Sequence, residues 1–195
     1  SGWGFGDLAR GYVPSDPARY ALRGLNLARQ DDGSLLVNAL LIFGVDGTDP
    51  LALERVRAEA ALEADRVVAF LREKDPLIFG TARLAGVAPA LYLRESRHLK
   101  ALYRLRAEEV LLGRNFPDAV ALGGYPLDGQ AYFPRETPYL LGTPVPYGVP
   151  FRALVPREVR NLLVVSQAAG FDSAAAFSAR VVPLQMALGE AAGVA

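Results

Sequence analysis

The sequence holds no cysteine and a single histidine, His98, among its 195 residues. The first absence excludes thiolate catalysis, iron–sulfur ligation and a cysteine redox pair within this chain. The second excludes any metal site built from several histidines, and no nucleophile elbow accompanies His98. Lysine is confined to Lys74 and Lys100, so arginine carries almost all the positive charge. Genome composition accounts for most of that bias, although it also supplies many forked anion-binding groups. With 21 basic and 21 acidic residues, no net field draws the chain to nucleic acid or an anionic membrane, and neither is expected as a partner. No apolar run approaches the roughly 20 residues that span a bilayer. The cytoplasm is the expected compartment, but the opening Ser1-Gly2-Trp3-Gly4 reads as a processed or engineered start, which leaves a lost signal peptide and a secreted or periplasmic location open.

About half of the residues are apolar, enough to bury a substantial core without disulfides. Gly2-Trp3-Gly4-Phe5-Gly6 has the look of a glycine loop, but it lacks G-x-G-x-x-G spacing and a preceding strand. A flexible entry segment is expected to about Asp16. Tyr20–Arg29 and Leu35–Val45 flank Asp31-Asp32-Gly33, a hairpin signal, and the second strand reads as buried on both faces. Asp49 and Pro50 cap and start a helix whose stripe runs through Leu53, Val56, Ala60, Ala64, Val67 and Leu71. Glu54, Arg57, Glu63 and Arg72 lie mostly off the stripe and read as a solvated face. Ala90–Leu105 is expected as a bent strand, Arg106–Leu112 as a short helix and Val120–Tyr125 as a short strand. Gln130–Pro156 carries too many prolines for a helix or central strand. It reads as an extended loop anchored by Tyr132, Phe133, Tyr139, Tyr147 and Phe151.

Toward the end, Asn161-Leu162-Leu163-Val164-Val165 reads as a short strand of the kind buried in a parallel sheet, Ser166–Phe177 as a loop of small residues, and the residues from about Arg180 as a helix. Ala187, Gly189, Ala191, Ala192 and Gly193 leave one side of that helix nearly bare. Each glycine costs roughly 1 kcal/mol against alanine there, so something must approach closely: either a tightly packed strand or a cofactor.

These last elements resemble a family of bacterial FAD-dependent oxidoreductases whose FAD domain has a two-dinucleotide-binding-like fold. The matching runs are Asn161–Val165, Ser178-Ala179-Arg180-Val181-Val182-Pro183 and Met186–Gly193. Upstream, Arg94-Glu95-Ser96-Arg97, Gly113–Asp118, Gly123–Asp128 and Pro146–Pro156 resemble the family's substrate-domain strand, helix end, turn and return segment. The resemblance implies a mixed α/β chain: a substrate-domain sheet with packed helices over residues 1–156, then the closing strand and helix of a Rossmann-like FAD domain over 157–195. The strand–turn–helix that holds the pyrophosphate has no counterpart in the sequence. The chain is therefore expected to be a C-terminal fragment or half of a split protein that binds FAD poorly alone, its partners being the missing FAD-binding segment and a small-molecule substrate.

By the same resemblance, Ser178, Arg180, Val181, Val182 and Pro183 bind the flavin at the helix amino end, against the plainer reading of an ordinary capped helix with a surface arginine. Ser166-Gln167 stands where relatives usually carry glycine-arginine, and Asp172-Ser173 where many carry threonine-histidine. With that histidine gone, Asp172 and Arg180 remain as weak catalytic candidates, although a loop aspartate is more often a turn or cap residue. Arg97, Arg114 and Arg152 could clamp a carboxylate- or hydroxyl-bearing substrate, or pair structurally with Glu95, Asp118 or Glu158. Tyr147, with Tyr125, could line the pocket, or both could be core anchors. A non-catalytic remnant or binding module of the same fold, and a module of a carbohydrate-processing protein, are the alternatives; without paired carboxylates, glycoside hydrolysis ranks last.

Overall fold

A computed structural model describes residues 2–134, 136–142 and 145–195. Ser1 and the parts of the expected proline-rich loop at Arg135 and Thr143-Pro144 lie outside them. The chain mixes helices with antiparallel sheets and divides into two compact units, one of Ser1–Tyr92 with Tyr132–Glu136, the other of Leu93–Ala131 with Thr137–Ala195.

The first unit is a three-stranded sheet, β1 (Gly2–Gly4), β2 (Tyr20–Arg29) and β3 (Leu35–Ile42), in the order β1-β2-β3. The β2–β3 hairpin forms as the Asp-Gly signal implies, with Gly33 at φ +83° and Asp32 Oδ1 accepting from Ser34 N at 2.9 Å. Helix α2 (Pro50–Lys74) starts where Asp49 accepts from Leu51 N, and it buries Val56, Ala60, Val67 and Leu71. Val67, Leu71 and Phe79, the last from α3 (Pro76–Phe79), pack with Leu25 and Ala39 of the sheet.

Three expectations change in this unit. The entry segment is built into the fold: β1 pairs with β2, α1 (Gly6–Arg10) follows, and Phe5, Leu8 and Tyr12 join the core. The first half of β3 is open, with Leu35, Leu36 and Val37 each about half exposed or more. Glu63 belongs to no solvated face. It is 2 % exposed because Tyr12 Oη, Ser15 N and Ser15 Oγ all donate to it, which answers the desolvation of a buried carboxylate.

The second unit gathers α4 (Ala107–Leu111), the pair β4 (Ala119–Gly123) with β7 (Tyr147–Pro150), the pair β5 (Leu127–Gly129) with β6 (Tyr139–Leu141), α5 (Ser173–Ala179) and α6 (Val182–Gly193). Its core joins Leu105, Val110, Tyr147, Val149, Leu154, Phe171, Leu184 and Leu188. The proline-rich stretch is more structured than a loop, since it supplies β6 and β7. Of its expected anchors, Tyr147 is fully buried, whereas Tyr132, Phe133 and Tyr139 are exposed.

Residues 90–105 form no regular strand. The N–H groups there divide between two neighbours: Leu99 and Leu105 donate to Ala168 and Gly170, Leu102 and Tyr103 to Val155 and Arg152. Only isolated bridges result, at Ala101–Pro156 and Leu105–Phe171. Asn161–Val165 is likewise not a strand: Asn161 is left-handed at φ +56°, Leu162 is exposed, and Val164 N makes a single bond to Leu154 O. A parallel strand needs a parallel neighbour for its ladder groups, and no named strand among the described residues lies alongside. The expected loop Ser166–Phe177 ends in α5, because Asp172 caps a run of good helix formers, Ser173-Ala174-Ala175-Ala176.

Candidate functional site

Where α5 hands over to α6, a cleft of about 350 Å³ opens, lined among others by Gly123, Gly124, Tyr125, Ser178, Val181 and Pro183. Helix α6 begins after Val181, which offers no side-chain cap, and carries Pro183 in its first turn. The N–H groups of Val182 and Leu184, at the positive end of the helix dipole, therefore have no side-chain cap. Val182 and Met186 are each 69 % exposed, and a Cβ placed on Gly189 or Gly193 would meet nothing within 4 Å. The face of α6 that carries Val182, Met186, Gly189 and Gly193 is thus uncovered by the described residues, whereas Ala187, Ala191 and Ala192 are half-buried.

The rear wall of the cleft is backed by a buried hydrogen-bonded chain. Tyr147 is fully buried, its hydroxyl 2.8 Å from Ser178 Oγ, and Ser178 in turn donates to Tyr125 O. Burial pushes the Tyr147 phenol up, and the Ser178 hydrogen bond offsets this only in part. Gly123 pairs with Tyr147 across β4–β7, and a Cβ on it would collide with the tyrosine ring. At the next residue, Gly124, a Cβ would find open space.

Arg180 is 8 % exposed and donates to Asp128 O at 3.0 Å and Asp128 Oδ2 at 3.2 Å, tying the α5–α6 junction to β5. Its Nε is buried without a partner among the described residues. Ser178, Val181 and Pro183 line the cleft, Val182 stands exposed beside it, and Arg180 braces it from behind.

Asp172 lies elsewhere. Its Oδ1 accepts from Ala175 N at 2.6 Å, and its Oδ2 from Ala107 N at 3.2 Å, so one carboxylate caps both α5 and α4. The three arginines of the expected clamp do not converge as a set. Arg152 pairs with Asp118 at 2.6 Å and stacks over Tyr103 and Phe116. Arg114 pairs with Glu109 at 2.6 Å and also covers Phe116, while Arg97 is exposed and joins neither. Glu109, 5 % exposed, accepts from Tyr103 Oη and Arg106 N as well. That anchor was not singled out in the sequence, although Arg106 and Glu109 stand at capping-box spacing.

The family model for FAD dependent oxidoreductases matches residues 9–195, nearly the whole chain. The chain belongs to the FAD-dependent oxidoreductase family. No curated protein and no solved structure matches it. Among the described residues of this family member, no group of three or more acidic or histidine side chains could hold a metal, and no helix is long and apolar enough to cross a membrane. The cleft fits the family's cofactor in kind: a flat ring with polar edges suits a gap floored by glycine and flanked by an uncapped helix end.

Proposed function

We propose that this chain forms part of an FAD-dependent oxidoreductase acting on a small organic substrate, and that the cleft before α6 receives the flavin ring. The observation that carries the reading is the open, uncapped amino end of α6, in a chain that belongs to this family. When bound, FAD would supply the hydride-accepting chemistry.

The roles of the chain's own residues follow from their placement. Val181, Val182 and Pro183 set the start of α6, whose dipole favours negative charge in front of it. Ser178 and Tyr147 hold the wall in shape without reaching outward, and Arg180 fixes the α5–α6 junction through Asp128. Residues 157–195 are assigned to the flavin domain and 1–156 to the substrate segment, of which Gly123, Gly124 and Tyr125 also line the proposed flavin cleft. The element that binds the pyrophosphate, for which this sequence has no motif, is assigned to residues outside 1–195. Asp172 takes a structural role as a double cap; Arg114 and Arg152 contribute to a substrate site only as already paired cations.

The full-length protein should purify with flavin absorbance in the visible range that bleaches under a reductant. A full-length preparation that is colourless and takes up no added FAD contradicts the reading and favours a remnant that has kept the fold alone.

A further inference from the structure

We propose that Glu95, held by His98 and Ser173, is a binding site for a hydroxyl group of the substrate, with Glu95 Oε2 the accepting atom. The presence of such a substrate rests on the oxidoreductase reading above; the chemistry of the site rests on these three side chains.

His98 Nε2 lies 2.8 Å from Glu95 Oε1, and Ser173 Oγ donates to that same oxygen. An ionised carboxylate only accepts, so Nε2 carries the ring proton in this contact. His98 Nδ1 is buried with no partner among the described residues. A proton there would be an unpaired buried donor, which supports the Nε2–H tautomer. Two donors on Oε1 fix the carboxylate's direction. Glu95 Oε2 receives no hydrogen bond among the described residues, yet it is not an enclosed orphan, and a quarter of the side chain is exposed.

Glu63, Glu109 and Asp172 each engage both of their oxygens, whereas the helix caps Asp49 and Asp75 use one oxygen with a single donor. Glu95 loads both donors onto one oxygen and leaves the other open. Its backbone is pinned on either side, by Gln167 Nε2 donating to Leu93 O at 3.0 Å and Leu99 N to Ala168 O at 2.7 Å. A carboxylate oriented in advance binds a donor without the cost of ordering itself. The same short segment carries Arg94, Arg97 and Lys100, so a neutral hydroxyl is favoured over an ammonium donor.

Because His98 is the only histidine, histidine-selective 15N labelling of the full chain gives the signals of one ring. The expected spectrum shows the Nε2-protonated tautomer. Glycerol, a hydroxyl probe, should move the ring signals in a saturable manner, and ethylammonium chloride at matched ionic strength should not. Glu95→Gln should weaken the glycerol response roughly tenfold, since a charge-assisted hydrogen bond becomes a neutral one. Ser173→Ala should weaken it about threefold through lost orientation, with recovery in Ser173→Thr. An Nδ1-protonated ring, no saturable response to glycerol, an undiminished response in Glu95→Gln, or tighter binding of ethylammonium would each overturn the proposal. Flavin absorbance of the full-length protein, prepared separately, reports on the cofactor reading, so the two can fail independently.

Discussion

Glu63 shows how one buried residue can hold a segment that the sequence alone reads as loose. Burial works against its charge, but donation from Ser15 and Tyr12 outweighs that and holds its carboxyl below the usual range. A depressed carboxyl contributes stability that is present above the ordinary glutamate value of about 4.3 and is lost as the pH falls through the lowered value. Wild-type protein should therefore lose stability on acidification more steeply than Glu63→Gln, as followed by urea melts across that range. At neutral pH, Glu63→Ala should cost about 3 kcal/mol, because Tyr12 and Ser15 are left without their acceptor. An equal acid dependence in wild type and Glu63→Gln would show that the carboxylate is not held in this way. Gly123 makes a second residue-scale case. A methyl group there meets the Tyr147 ring, so Gly123→Ala should lower stability by about 1–3 kcal/mol and disturb the cleft wall; thermal melting reads the first effect.

Among the elements, α5 and α4 share one cap. Asp172→Ala removes acceptors from both amino ends at once, and the expected loss is about 1–2 kcal/mol, measured by denaturant unfolding with loss of helical circular dichroism. Asp172→Asn, which keeps an acceptor for one helix, should lose less. The hairpin, α2, α4, β4 and α6 were legible because their signals are local: a turn pair, a cap, an apolar period. Three of the readings that failed did so because local grammar omits the partner. Ala174-Ala175-Ala176 looks like loop filler until Asp172 is seen to cap it. Glu63 looks solvated until Tyr12 and Ser15 arrive from 48 or more residues away. Asn161–Val165 has the composition of a parallel strand, but composition cannot supply the neighbouring strand on which such a ladder depends. At the candidate site, Ser178, Val181 and Pro183 could be placed from the run that resembles the family, whereas the Glu95–His98–Ser173 contact joins residues 78 positions apart and left no mark in spacing.

At the scale of the whole molecule, two compact units divide the chain, and each has its own apolar core. Among the places that the described residues leave open are the amino end of α6 with its Gly189 and Gly193 face, and the first half of β3. In a member of the FAD-dependent oxidoreductase family, the first of these is the flavin site we propose, and the account stands or falls there. Hydrogen exchange of the full-length flavoprotein, stripped of FAD and then restored, tests it most directly. Restoring FAD should slow exchange at Gly123–Tyr125 and at Val182, Leu184 and Gln185 in the first turn of α6; flavin uptake that leaves these amides unchanged and protects only other parts of the chain would contradict it.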